Sequence, residues 1–332
     1  MRPDLLNRIF QIKDQTGFQD AALEIFAYQF DNNPVYHDFI KQLGINQNEI
    51  YSVQDIPFIP VEFFKSHTII TGNHTAEIIF ESSGTSGKSV SRHYVADPAL
   101  YEESLLKTFR YFYGEPSEYF IAALLPSFSE RKNSSLAFMM QNLIDRSASP
   151  FSGFYLNNIG GMISCIEQSR SANQKVFLIS VSYTLIDMAE EYSPDLSGVI
   201  VMETGGMKGR RKEMTREGLH SVLKKKFNLT AIHSEYGMTE LLSQAYSQGE
   251  GIFYCPPWMK VFVRDPQDPL TLISEPGRTG GINIIDLANI YSCTFIATDD
   301  LGRLHEDGGF EVLGRLDNSD IRGCNLLMDI SI

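Results

Sequence analysis

From Tyr119 onward the chain alternates short apolar runs with stretches of helical spacing, and this alternation constrains its fold more than any other feature. "YFIAALLP" (119–126), "KVFLISVS" (175–182), "SGVIVMET" (197–204) and "LTAIHSEYG" (229–237) read as strands. Between them "SSLAFMMQNLID" (134–145), "YTLIDMAEEY" (183–192) and "TREGLHSVLKKKF" (215–227) carry apolar residues at three-and-four spacing. Strands that alternate with helices predict an α/β domain with a parallel sheet, and ligands of such sheets gather beyond the carboxyl ends of the strands. The polar segments "PSFSERKNSS", "ETGGMKGRR" and "SEYGMTE" fall there, each after a strand. Upstream, "PDLLNRIFQIKD" (3–14) and "FQDAALEIFAYQFDNN" (18–33) predict helices. After Gly251 the helical period fades, and "WMKVFVRDP", "RTGGINIIDL", "TFIATDDLGRL" and "GGFEVLGRL" predict short strands with Gly and Asp turns. The expected organisation is a core over 1–321, with a mainly helical entry (1–75), an α/β part (76–250) and a β-rich part (251–321), followed by a short tail (322–332).

A second constraint is the loop in "IIFESSGTSGKS" (78–89), where an apolar run empties into Ser82, Ser83, Gly84, Thr85, Ser86, Gly87 and Lys88. Its N–H groups and hydroxyls need acceptors, small residues let a ligand approach the backbone, and Lys88 adds a positive charge, so a phosphate suits it. An ordinary polar turn uses the same residues. A Walker loop fits worse, because Ser82 stands where that motif needs glycine and "SVSRHYV" (89–95) alternates like a strand rather than opening a helix.

The chain has 332 residues, 43% hydrophobic and 21% charged, which is globular composition. A formal net charge of −13 without a basic stripe argues against a nucleic-acid partner. No apolar run reaches membrane-spanning length and the amino terminus lacks a signal-peptide core, so the expectation is a cytoplasmic protein without a membrane partner. The four cysteines, Cys165, Cys255, Cys293 and Cys324, lie far apart in sequence, which disfavours a zinc site or a disulfide framework.

Four segments, in order, resemble signature blocks of the adenylate-forming superfamily, whose members activate a carboxylic acid with ATP. "LLPSF" (124–128) resembles the loop that places an aromatic residue near the acyl pocket. "SSGTSGKS" resembles the phosphate loop, "EYGMTE" (235–240) the Tyr-Gly-x-Thr-Glu block, and "TDDLGRLHEDGGFEVLGRLD" (298–317) the ribose-binding segment and hinge. Within the superfamily the chain most resembles the LuxE-type acyl-protein synthetases, with phenylacetate–CoA ligases next, on "IPFIPVEFFK" (56–65), "TGGMKG" (204–209) and "RGCNLLM" (322–328).

The resemblance implies the large N-terminal domain of that fold: layered mixed sheets with helices and a small distorted β-barrel, lacking most of the C-terminal swinging domain. It also implies roles. Glu240 would hold Mg²⁺; Thr239, Ser83, Gly84, Thr85, Ser86, Gly87 and Lys88 would meet phosphate. Tyr236, with Gly237, offers a flat face to adenine, and Gly205 and Gly206 let backbone approach the base. Asp300 would accept from the ribose hydroxyls and Arg315 donate from the other side, although Asp299 stands where the family has glycine, so either aspartate could be the ribose acceptor. Cys324 occupies the place of the family's acyl-accepting cysteine. His233, Lys208 and Arg210 stand near these motifs and equally suit a core or solvated role. Phe128 and Met139 suggest an apolar acid.

The expected activity is conversion of a carboxylic acid, fatty or otherwise apolar, to acyl-AMP with ATP and Mg²⁺, then acyl transfer to a protein thiol. Cys324 comes first, then a reductase or carrier protein. An acid–CoA ligase using CoA as acceptor is the alternative. A cysteine acyltransferase or thioesterase without ATP, or a degenerate scaffold, is a further one; no lysine follows Lys260, where the family's swinging domain carries one needed for adenylation.

Overall fold

The structure is a computed structural model that describes residues 5–83, 90–206 and 214–316. Contacts divide them into two units. His74–Pro256 forms one, and the segments up to Asn73 and from Pro257 onward form the other.

The sheet of the 74–256 unit runs in the order Gly153–Phe154, Tyr119–Leu124, Lys175–Val181, Ile200–Thr204, His233–Tyr236, Ala245–Ser247. All neighbours are parallel except the last pair. Its central strands are buried on both faces, which is why they are near-continuous apolar runs. Phe120, Ala122, Leu124, Val176, Leu178 and Val201 turn to one face, packing with Ile166, Leu185 and Leu223 of the helices Ile159–Ser171, Ser182–Glu191 and Arg216–Phe227. Tyr119 and Phe177 alternate to the opposite face, where Phe109 of the helix Pro98–Tyr113 meets both rings edge-on at 5.8 and 5.3 Å. The helices Pro98–Tyr113 and Ile159–Ser171 are additions to the sequence reading. The first has a legible start: Asp97 caps it by accepting from Ala99 N and Leu100 N, and Pro98 opens it. The second is masked by Gly160 and Gly161 in its first turn.

Ile78–Glu81 and Arg92–Val95 form an antiparallel hairpin, extended by Ser82 N donating to Ser91 O at 3.0 Å and Ser91 N to Ser82 Oγ at 2.9 Å. The strand–loop–strand expectation therefore holds on both flanks. Gly84, Thr85, Ser86, Gly87 and Lys88 lie outside the described residues.

In the other unit, Phe310–Arg315, Phe295–Leu304, Gly280–Asp286, Met259–Arg264 and Leu272–Ile273 pair antiparallel in that order, and Ile59–Pro60 joins Phe295–Leu304 in parallel. Register shifts at Gly281/Asn283 and Leu301/Gly302 bend this β-rich sheet into a curl. The glycine pair in "RTGG" has a steric reason. A Cβ on Gly280 would come within 2.2 Å of Arg264 O, and one on Gly281 within 2.6 Å of Arg264 Cζ. The buried Arg264 guanidinium fills that space, donating to Ile282 O at 2.8 Å, Asn283 Oδ1 at 2.7 Å and Thr298 O at 2.6 Å.

Two helices, Gln15–Asn32 and Pro34–Gln42, are joined by Asn33, which caps the second by accepting from Tyr36 N. A buried polar network ties them to the 287–294 connection between Gly280–Asp286 and Phe295–Leu304. Gln29 Nε2 donates to Ile290 O at 2.9 Å while its Oε1 accepts from Thr294 N at 3.0 Å, and Asn33 Nδ2 donates to Ser292 O at 2.9 Å. The expected helix over "PDLLNRIFQIKD" is shorter, Leu5–Ile9, because Asp14 leaves the helical conformation to cap the next helix at Gly17 N.

Candidate active site

In the 74–256 unit the carboxyl ends of the parallel strands gather the expected segments. Ile200–Thr204 ends in Gly205, whose φ of 67° is left-handed backbone, and Gly206. Behind them Glu203 is buried but richly partnered: Ser182 Oγ donates to its Oε2 at 2.8 Å, and Arg216 Nε and His220 Nε2 lie 3.4 and 3.6 Å from its Oε1. Ser182 Oγ also lies 2.7 Å from Gly205 O. Burial alone would raise this carboxyl, but His220, Arg216, Ser234 and Ser182 outweigh it and hold Glu203 below its usual range.

One strand over, His233–Tyr236 leads into Gly237, Met238, Thr239 and Glu240. Tyr236 is mostly buried, its ring edge-on to Phe253 at 5.9 Å. Glu240 is a buried carboxylate, and Thr239 is fixed through its carbonyl, 2.8 Å from Nδ1 of the buried His93. His233 faces Tyr113 Oη at 3.1 Å, and burial first, with His220 second, lowers its pKa to about 4; it behaves as a neutral core histidine. Two strand ends are linked by Glu235, whose Oε2 accepts from the Thr204 hydroxyl.

The loop after Tyr119–Leu124 is self-bracing. Ser127 N and Oγ donate to Glu130 Oε2 at 2.7 and 2.8 Å, and Phe128 packs edge-on to Phe138 at 5.4 Å. It is tied to the hairpin by Glu81 N to Asn133 O at 2.8 Å. Leu125, Ser127, Phe154 and Leu156 line a shallow cleft of about 310 Å³ beside it. Met139, on the helix Ser135–Asp145, is buried.

In the other unit, Asp300 and Arg315 are register partners, Oδ1 and Nε 3.7 Å apart. Asp300 N is held by Thr298 Oγ1 at 3.1 Å. Asp299 alternates away and is hydrogen-bonded to Glu62, whose pKa is raised by burial and then by that carboxyl. The register thus separates the two aspartates: Asp300 stands beside the expected arginine and Asp299 beside a second acid.

The structure places Gly205, Gly206, Tyr236, Gly237, Thr239 and Glu240 at neighbouring strand ends of one unit, with Ser83 exposed at the end of its hairpin strand. Asp300 and Arg315 pair in the other. Cys324, Lys208 and Arg210 lie outside the described residues. Sequence reasoning did not find Glu203, Glu235 or Glu62. All three lie inside quoted motifs, so their position was visible and their burial and partners were not.

No family model matches the chain. Over 329 residues it is 24% identical to the long-chain-fatty-acid–luciferin-component ligase of Vibrio harveyi, covering 91% of this chain and 85% of that protein. Among solved structures, an open conformation of 2-hydroxyisobutyryl-CoA ligase matches with a TM-score of 0.65 at 12% identity, over 92% of this chain and 72% of that one. The fold is that of the adenylate-forming ligases. ATP-bound MatB from Rhodopseudomonas palustris matches with a TM-score of 0.52 at 16% identity, over 71% of this chain and 47% of that one. Within the adenylate-forming fold the described residues correspond to the large N-terminal domain, with its α/β sheet and its curled β-sheet.

Proposed function

We propose that this chain is an ATP-dependent, AMP-forming acyl-activating enzyme that passes its acyl group to a protein thiol. The observation that carries the reading is the similarity, over 91% of this chain, to a long-chain-fatty-acid–luciferin-component ligase, in a chain whose motif residues occupy adjacent strand ends of an adenylate-forming fold. The residues suit ATP. Asp300 is an acceptor-only group, fit for two ribose hydroxyls, with a cationic donor opposite. Gly205 and Gly206 leave backbone open to a base, for which Tyr236 offers an aromatic surface.

Glu240 suits Mg²⁺ as its single protein carboxylate. Among the described residues no group of three or more His, Cys, Asp or Glu forms a metal site, and magnesium at phosphate sites commonly takes one or two carboxylates with the remainder from phosphate and water. When bound, the ion supplies charge that offsets repulsion between two anions.

In the first half-reaction the substrate carboxylate attacks the α-phosphorus of ATP, forming the acyl–phosphate bond as the bond to pyrophosphate breaks. Thr239 and the 83–88 loop would donate to the phosphate oxygens as charge develops, while Asp300 and Arg315 orient the ribose. In the second half-reaction a thiolate attacks the acyl carbon and AMP leaves with the bonding pair. Cys324 is the proposed thiol, a reductase or carrier protein the next acceptor, and a fatty or other apolar acid the substrate.

The test is acid-dependent exchange of pyrophosphate into ATP across a panel of carboxylic acids. It is followed by incubation with ATP, Mg²⁺ and the preferred acid. One acyl group labile to neutral hydroxylamine is expected on the chain, with Cys324→Ser abolishing it and leaving exchange intact. Transfer to free CoA alone would replace the protein-thiol reading with that of an acid–CoA ligase. Exchange independent of any acid, or none, would overturn the activity.

A further inference from the structure

The strands Ile200–Thr204 and His233–Tyr236 pair in register Glu203↔Ser234 and Thr204↔Glu235. Because side chains alternate along a strand, Glu203 and Glu235 face opposite sides of the sheet. On its face Glu203 meets Arg216 and His220 from the helix Arg216–Phe227, and Ser182 from the helix Ser182–Glu191. The face of Glu235 is different. Its cross-strand partners are Thr204 and Tyr246, with Tyr113 beyond Tyr246 at 5.4 Å between rings. Among the described residues no cation pairs with Glu235, which is buried. Among the described residues the charge acting on it is that of Glu203, and His233 lies two residues along the same strand.

The Glu235 carboxyl touches both strand ends that carry the proposed nucleotide loops. Its Oε2 takes the hydroxyl of Thr204, the last residue before Gly205 and Gly206. Its Oε1 occupies the space a side chain on residue 237 would need, since a Cβ there would fall 2.2 Å away. One carboxyl group thus sets the separation of the 204–206 turn from the 236–237 turn.

We propose that Glu235 is a positioning residue of the nucleotide site, which braces the Thr204–Gly206 and Tyr236–Gly237 turns against each other. This rests on the nucleotide reading of those turns. Desolvation first, and then the charge of Glu203, raise the Glu235 pKa to about 7 against the lowering effect of Thr204. Ionising it adds a second buried carboxylate across the strand pair from Glu203, where no cation among the described residues answers it, and the brace loosens.

The experiment titrates the full chain with ATP and Mg²⁺, without acid, from about pH 5.5 to about pH 8.5, for wild type, Glu235→Gln and Glu235→Ala, with urea midpoints at each pH. ATP's own titration is common to all three. Wild-type affinity should fall by up to about tenfold per pH unit above about 7. Glu235→Gln, an uncharged isostere, should restore wild-type acid-side affinity and flatten the profile relative to wild type, whereas Glu235→Ala should bind weakly throughout. A folded-state pKa above the unfolded value means stability is greatest on the acid side and is lost as pH rises from about 4.5 to about 7. The fall in urea midpoint should therefore be smaller in Glu235→Gln than in wild type, the remainder belonging to other groups such as Glu62.

Parallel affinity profiles for wild type and Glu235→Gln, or wild-type affinity in Glu235→Ala, overturn the positioning role. If wild type binds no ATP at any pH, the nucleotide reading fails and the role with it. The urea midpoints identify which has failed, because they report the neutral acid whether or not ATP binds.

Discussion

Asp300 and Arg315 face each other across an antiparallel strand pair, Oδ1 3.7 Å from Nε, while Asp299 turns to the other side to share a hydrogen bond with Glu62. Only one of two adjacent aspartates therefore stands beside Arg315, the arginine proposed for the ribose site. Asp300→Ala should weaken ATP binding by about tenfold or more, the loss of a charge-assisted acceptor of hydroxyls, and Asp299→Ala should do so much less. Nucleotide titration of the two variants side by side checks this, and a larger effect at Asp299 would reverse the assignment.

Glu62 has its own signature in pH. Burial and the Asp299 carboxyl raise its pKa, so its contribution to stability is full below the unfolded value near 4.5 and declines as pH rises through the folded value. Glu62→Gln should remove that decline, making the variant at least as stable as wild type at neutral pH. Urea midpoints measured on the acid and neutral sides would show it; a variant that loses stability equally at both would mean that Glu62 does not hold its proton more tightly in the folded state.

Gly237→Ala should be costly although Gly237 itself is exposed. The added Cβ would lie 2.2 Å from Glu235 Oε1, and Glu235 is buried with little room to yield. Overpacking of this kind costs roughly 1–3 kcal/mol, and the displaced turn should also weaken ATP binding. Chemical denaturation together with nucleotide titration tests both parts.

Gln29→Ala should destabilise the chain by roughly 2 kcal/mol or more. It strips partners from Ile290 O and Thr294 N, which Gln29 satisfies in a fully buried position. Equilibrium unfolding is the measurement, and a change within a few tenths of a kcal/mol would mean water enters to replace the amide.

Glu240→Gln should reduce acid-dependent exchange at least about a hundredfold, since removing a carboxylate from a bound cation costs several kcal/mol at about 1.4 kcal/mol per decade. A circular-dichroism spectrum and urea midpoint close to wild type must accompany the loss. Full exchange in a folded variant would remove the metal role.

The alternating strands and helices were legible because parallel strands covered on both faces have to be apolar almost throughout, as Tyr119–Leu124 is. The helix Ile159–Ser171 was not, since Gly160 and Gly161 weaken its pattern, and the first helix was read too long because Asp14 serves the element after it. At the candidate site, residue types at motif positions could be read directly. That Asp299 meets Glu62 and that Thr204 meets Glu235 depend on the pairing of segments distant in sequence, which no local pattern encodes, while which aspartate faces Arg315 depends on the register of a hairpin with a bulge at Leu301/Gly302.

Gln29 bonds to Thr294, 265 residues further along the chain. A ribosome adding about 5–20 residues per second needs on the order of 15–50 s to make that span, while the continuous 74–256 segment can collapse as soon as it emerges. During that interval Gln29, Asn33, Tyr36 and the apolar faces of the first helices lack the sheet residues that cover them, so they form the segment most in need of a chaperone. Production of the protein should therefore be more sensitive to translation speed and holdase supply than its finished stability would suggest.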